Sequence, residues 1–318
     1  MIPKWMRDHA PGVALAIGSV AKPAYRSERR TARGHLVVPP TMRPGPRVPG
    51  SVWAVTMMHN EEDVAEHVVL HMLEQGVDAV IVADNMSDDQ TPDILADLAA
   101  RLPVHVVRDT WSAHAQGTKM TLVAALARSC GADWVIPFDA DELWFADGCS
   151  VSAFLRSTSA DIVTASIHNV FPSFDDDESE RDPFLRLTRF DLTPARVQKV
   201  AIRPHRVFKL SEGNLDVNMG GARSAGLYIA HFPFRSFEQM AAKLRHGRKA
   251  LAQTRFSVDT GSHWRIAGAW DDEQLHDVYR GLQEGRPLEH MSWSPVGPFE
   301  RLHPGGWSSW RAECRPAA

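Results

Sequence analysis

Between residues 51 and 167, apolar runs of strand length alternate with stretches of helical periodicity, and most of the runs end in a polar cluster. The run at 51–58 is apolar on both faces, as expected of a buried parallel strand, and those at 77–83, 104–107, 134–138 and 161–167 are of strand length. Between them lie helical stripes: Val64, Val68 and Met72; then Ile94, Leu95 and Leu98; then Met120, Val123, Ala124 and Ala127; a further short helix is expected over 150–157. Gly76, Pro92, Pro103 and Gly131 punctuate the series, and Asn60 and Thr91 are placed to cap helices. This repetition predicts an α/β fold: a three-layer α/β/α, Rossmann-like domain on a mostly parallel sheet.

In such sheets ligands bind outside the carboxyl ends of the strands. Those ends carry His59 and Asn60, Asp84, the Arg108–Asp109 pair, and Asp139 with Asp141. Asp139 and Asp141 are one residue apart, so in extended chain both carboxylates aim at one point. Two converging carboxylates repel unless a cation lies between them. All-oxygen ligands suit Mg²⁺ or Mn²⁺, with a substrate phosphate completing the coordination.

The net charge of −4 and pI near 6.4 give no bulk attraction to nucleic acid or an anionic membrane. Cys130, Cys149 and Cys314 show no metal or redox spacing, which favours a reducing, cytoplasmic setting. No apolar stretch approaches the roughly 20 residues of a membrane span, and the run at 12–21 is too short for one. Residues 1–50 read as an irregular leader rich in Pro and Arg.

Past residue 167 the acidic run 175–180 reads as a solvated loop, and strand character returns at 197–210 and 226–231. Ser236 and Gln239 form a capping-box pattern for a helix whose outer face carries Lys243, Arg245, Arg248 and Lys249. A peripheral contact with the inner membrane face is the secondary reading of that basic face. The tail 256–318 is rich in tryptophan (Trp264, Trp270, Trp293, Trp307, Trp310), read as packing or a homo-oligomer contact more than as sugar stacking.

Together, a first strand ending in His59-Asn60-Glu61, a second ending Asp84-Asn85-x-Ser87-x-Asp89-x-Thr91, and Asp139-Ala140-Asp141-Glu142 resemble the family-2-like glycosyltransferases of the GT-A fold. The soluble bacterial branch written HNE, DNxSxDxT and DADE is the most similar. The likeness is strong over 52–147, with a weaker echo at 199–204 and 231–239. It implies a GT-A domain over 51–255, with a nucleotide-binding half at 51–147 and an acceptor half at 148–255, followed by a C-terminal appendage.

The resemblance further implies a nucleoside-diphosphate sugar donor, a UDP-sugar first, and a glycan or lipid-linked acceptor in cell-surface polysaccharide or glycoconjugate synthesis. Direct displacement with inversion is expected. Thr56, His59, Asn60, Glu61, Asp84 and Asn85 would line the nucleotide, with Asp139 at the diphosphate. Asp139, Asp141 and His231 would hold Mn²⁺ or Mg²⁺, and Lys119 would add positive charge. For the general base, order along the chain favours Asp216, followed by Glu142 and Glu238. Two alternatives stand beside this reading: a non-catalytic nucleotide-sugar-binding scaffold, and a metal-dependent phosphohydrolase, although the latter usually carries its Asp-x-Asp after the first strand. A dinucleotide oxidoreductase would need a glycine-rich loop at 57–60, which is absent.

Overall fold

A computed structural model describes residues 10–254 and 261–302. In chain order the elements are α1 (Ala10–Ala21), α2 (Pro23–His35), β1 (Leu36–Val37), β2 (Val52–Met58), α3 (Ala65–Glu74), β3 (Ala79–Asp84), α4 (Thr91–Arg101), β4 (Val104–Asp109), α5 (Gln116–Ser129), β5 (Trp134–Pro137) and β6 (Glu142–Ala146). There follow α6 (Val151–Ser157), β7 (Ile162–Phe171), α7 (Pro183–Arg186), β8 (Arg189–Asp191), β9 (Gln198–Ile202), β10 (Lys209–Leu210), β11 (Val217–Asn218), β12 (Arg223–His231), α8 (Phe237–Ala252), α9 (Ser262–Ala267), α10 (Asp272–Glu284) and β13 (Phe299–Arg301).

The main sheet runs β1-β4-β3-β2-β5-β9-β7-β12-β6. Its first half, β4-β3-β2-β5, is parallel throughout. Beyond β5 it is mixed, because β9 is antiparallel to both β5 and β7 while β12 runs parallel to β7. The α/β expectation therefore holds, with the parallel character concentrated in the central strands. Alternate residues of β2 divide between two cores: Val52, Ala54 and Met58 pack under α3 and α4, and Val55 packs under α5. This is the three-layer arrangement that strands apolar on both faces demand.

Two expectations are corrected. Residues 10–37 are not irregular: α1 and α2 fold against β10, β11 and α5, and β1 adds an antiparallel edge to β4. Asn60 does not cap α3; it adopts a φ of 55° and its side chain turns to Asp88. The described part of the tail packs on the body, in keeping with the packing reading of its tryptophans: β13 pairs with β8, and α10 packs on α8 in a core that includes Phe171, Phe234 and Met240. Trp307, Trp310 and Cys314 lie outside the described residues. No described helix is long and apolar enough to cross a membrane.

Candidate active site

The loops after β2 and β3 interlock. Asn60 Nδ2 donates to Asp88 Oδ1 and the Asp88 N–H donates back to Asn60 Oδ1 at 2.9 Å. The Asn60, Glu61 and Glu62 N–H groups donate to Ser87 Oγ, Thr91 Oγ1 and Asp89 Oδ2. The two polar motifs thus brace each other, so much of their hydrogen-bonding capacity is structural. Arg235, fully buried, ties the same loop to the end of β12 by ion pairs to Glu61 at 2.6 Å and Asp63 at 2.7 Å.

Two adjoining cavities open at these strand ends. One, of about 640 Å³, is lined by His59, Asn60, Glu61, Asn85, Asp89 and, from α8, His246. His59 and His246 pack ring to ring with centroids 4.0 Å apart. Burial, reinforced by His59, takes His246 down to about 4. The other, of about 600 Å³, is lined by Asp139, Asp141, Lys199, Glu212, His231 and Trp293. Glu61, His114, Gln116, Lys243 and Trp264 face both.

The turn between β5 and β6 presents Asp139 and Asp141 to the second cavity. Asp139 is heavily engaged: Oδ1 accepts from Gln116 Nε2 at 3.0 Å and Asn214 Nδ2 at 3.1 Å, and Oδ2 meets Lys199 Nζ at 2.5 Å. Lys199 also pairs with Glu142 at 2.9 Å, and although its burial favours the neutral amine, Asp139 and Glu142 outweigh that and drive its pKa upward. Glu142 is sealed beneath, accepting from Trp144 Nε1 at 3.1 Å, with its pKa raised mainly by burial.

Asp141 is different. Burial would raise its pKa, yet Lys243 and His231 pull it well below the usual carboxylate range. Lys243 Nζ lies 2.5 Å from Oδ2, and His231 Nε2 lies 3.6 Å from Oδ1. His231 Nδ1 sits 2.8 Å from Asn169 Oδ1, an atom that can only accept, so Nδ1 carries a proton and Nε2 is the ring atom that faces Asp141.

Among the described residues no cluster of three or more His, Cys, Asp or Glu is assembled for a metal. A site completed by a diphosphate needs fewer protein ligands, because Mg²⁺ is ordinarily held by one or two carboxylates together with phosphate and water. Two donors each about 2.1 Å from one ion stand about 3 Å apart at right angles and about 4.2 Å apart in line. The 3.6 Å between His231 Nε2 and Asp141 Oδ1 falls within that span, so this pair fits a divalent ion. Asp139 fits less well, with three donors already on its oxygens.

Several residues expected at the site lie elsewhere. Lys119 is buried on Asp109 at 2.7 Å, with its ring contact on Trp111, and faces neither cavity. Thr56 is fully buried, and Asp84 accepts from the Ser87 N–H. Asn85 donates to Asp109 Oδ2 and Trp111 O, each at 3.0 Å, and faces the larger cavity beside His59 and Asn60. Asp216 lines neither cavity; it pairs with Arg223 at the surface, at 2.7 Å. Glu238 is exposed at the start of α8 and lines the larger cavity. Conversely, Lys243, Gln116, Asn214, Glu212 and Trp264 are brought to the site without a signal in the spacing. Lys243 lay in what reads as a plain basic helix face.

A family model described as glycosyl transferase family 2 matches residues 53–212. Similar solved structures include residues 1–349 of S. aureus TarS in complex with UDP-GlcNAc, at 13% identity and TM-score 0.37, covering 69% of this chain and 71% of that one. The mannosyltransferase PcManGT from Pyrobaculum calidifontis, in complex with GDP-Man and Mn²⁺, is 14% identical with TM-score 0.39, covering 86% and 85%. Glucosyl-3-phosphoglycerate synthase from Mycobacterium tuberculosis, in complex with Mn²⁺, UDP and glucosyl-3-phosphoglycerate, is 20% identical with TM-score 0.28, covering 37% and 44%. No curated protein matches.

Proposed function

The chain belongs to glycosyl transferase family 2, and we propose that it moves a sugar from a nucleoside-diphosphate sugar, a UDP-sugar first, to a hydroxyl of a glycan or lipid-linked acceptor. The observation that carries the donor and metal reading is the Asp141–His231 pair, which lines the cavity with His231 Nε2 3.6 Å from Asp141 Oδ1.

In this reading the cavity of about 640 Å³ receives the nucleoside, with His59, Asn60 and Asn85 on its wall. The cavity of about 600 Å³ receives the sugar and the acceptor. Asp141 and His231 would hold Mn²⁺ or Mg²⁺; when bound, such an ion offsets the negative charge that builds on a departing diphosphate. Lys243, facing both cavities, adds a cationic donor at their junction. Asp139 shapes the turn through Lys199, Gln116 and Asn214, and contributes negative potential more than an open coordination position. The domain that does this spans 51–255, with Trp264 and Trp293 completing the cavity from the tail.

Calorimetric titration of UDP and GDP with and without Mn²⁺ tests the donor reading, followed by donor turnover against a panel of nucleotide sugars. Metal-dependent nucleotide binding that is lost in Asp141→Asn is expected. Binding that ignores both Mn²⁺ and Asp141 would remove the metal from this account, and no turnover of any donor would favour the scaffold alternative.

A further inference from the structure

Displacement by an acceptor hydroxyl needs a group to take its proton. We propose that Glu212 is that general base, an assignment resting on the transferase reading above. Among the described residues, four carboxylates line the cavity of about 600 Å³: Glu61, Asp139, Asp141 and Glu212. Three are neutralised by a cation, Glu61 by Arg235 at 2.6 Å, Asp139 by Lys199 and Asp141 by Lys243 at 2.5 Å each. A carboxylate so paired is a poor proton acceptor, because protonation forfeits the pair. Glu212's ion-pair contact among the described residues is with His114 Nε2, at 4.0 Å.

Its placement is firm. Glu212 Oε2 accepts the Gly117 N–H at 3.1 Å, in the first turn of α5. The preceding residue, Gln116, donates its side chain to Asp139 Oδ1, and so does Asn214, two residues after Glu212. Glu212 and Asp139 are therefore held in one frame from both sides. Gly117 is required for it: a Cβ there would stand 2.8 Å from Glu212 Oε1 and 2.9 Å from the Ser211 carbonyl carbon. With Oε2 anchored, the Glu212 carboxylate is held at the wall of the cavity that it lines.

Burial pushes the Glu212 carboxyl up, reinforced by Glu28 from α2; the Gly117 and Gln116 N–H groups and Lys209 of β10 act the other way without cancelling it. A base poised nearer the working pH gains efficiency. In the step itself Glu212 takes the hydroxyl proton while the acceptor oxygen bonds to the anomeric carbon. The bond from that carbon to the phosphate oxygen breaks, and its electron pair leaves on the nucleoside diphosphate.

The competing role is a brace that caps α5 through Gly117. Glu212→Gln separates the two, because an amide oxygen still accepts the Gly117 N–H but takes no proton. The assay measures release of nucleoside diphosphate from UDP-glucose, UDP-N-acetylglucosamine and GDP-mannose, with p-nitrophenyl glycosides as acceptors, alongside UDP and GDP binding in Mn²⁺. Expected are nucleotide binding within about twofold of wild type, a fall in transfer of about 100-fold or more, and loss of the acidic limb of the pH–rate profile. Glu212→Asp, which keeps a proton acceptor, should retain that limb at reduced rate. Glu212→Gln transferring within threefold of wild type overturns the assignment while leaving the transferase reading intact. A wild-type chain that neither binds nucleotide nor turns over any donor overturns both.

Discussion

Lys243 of α8 places its ammonium 2.5 Å from Asp141 Oδ2, on the same carboxylate whose Oδ1 faces His231. The acid best placed for a metal thus carries a counter-ion of its own, which keeps it ionised inside the protein. A divalent ion has to compete with that ammonium. Lys243→Met should therefore tighten Mn²⁺ binding to the nucleotide-free protein by about tenfold, the equivalent of about 1.4 kcal/mol, read by electron paramagnetic resonance of free Mn²⁺. The same change should weaken UDP binding, since Lys243 borders both cavities. Unchanged Mn²⁺ affinity would show that Lys243 and the metal do not share Asp141.

Lys199 makes the opposite case. It is buried between Asp139 and Glu142, and Glu142 is buried with it. Removing one partner of such a pair strands the other's charge, at a cost of about 3–5 kcal/mol. Lys199→Met should lower the chemical-denaturation midpoint accordingly, and Glu142→Gln added to it should recover part of the loss. Additive losses in the double variant would mean that the two side chains are not coupled.

These lysines also show what the sequence conveys and what it does not. The strands of the parallel half are written locally, as apolar runs closed by turn residues, and the Asp-x-Asp spacing puts two carboxylates at one strand end whatever follows. The partners of those carboxylates come from 60 and 102 residues downstream, on β9 and α8, and nothing local marks them. The HNE and DNxSxDxT motifs were legible as site loops, yet their side chains are largely spent on each other, because two adjacent loops need cross-braces. Lys119 read as a free cation from its helix position; only the fold reveals Asp109 of β4 beside it. Asp216, favoured as the base by its order along the chain, lies off both cavities and pairs with Arg223, seven residues on, another contact that nothing local marks.

His71 gives the protein an acid-sensitive joint. It is buried in α3 with Nε2 2.8 Å from Trp144 O, and burial lowers its pKa from 6.5 to about 4 despite that hydrogen bond. The unfolded chain binds the proton more readily, so the stability from the neutral ring is complete above pH 6.5 and is lost as pH falls toward 4. The loss amounts to roughly 3 kcal/mol at most. A denaturation series over that window should show stability falling with acid, and His71→Gln should flatten the fall. An unaltered slope in the variant would move the effect to another group, such as His246.

Gly247 sets the position of the tryptophan that borders both cavities. On α8 a Cβ at this residue would stand 1.9 Å from Trp264 Cε3, too close for either atom to remain. An alanine is otherwise welcome in a helix interior, better than glycine by up to about 1 kcal/mol, so Gly247→Ala should fold while pushing the indole aside. Because Trp264 faces both cavities, the KM for donor and for acceptor should both rise several-fold, with little change in the denaturation midpoint. Trp264→Ala removes the obstacle, and adding Gly247→Ala to it should then have no further effect on either KM. If Gly247→Ala alone leaves both constants within twofold of wild type, the indole does not shape the binding surface, and its contact with α8 serves packing only.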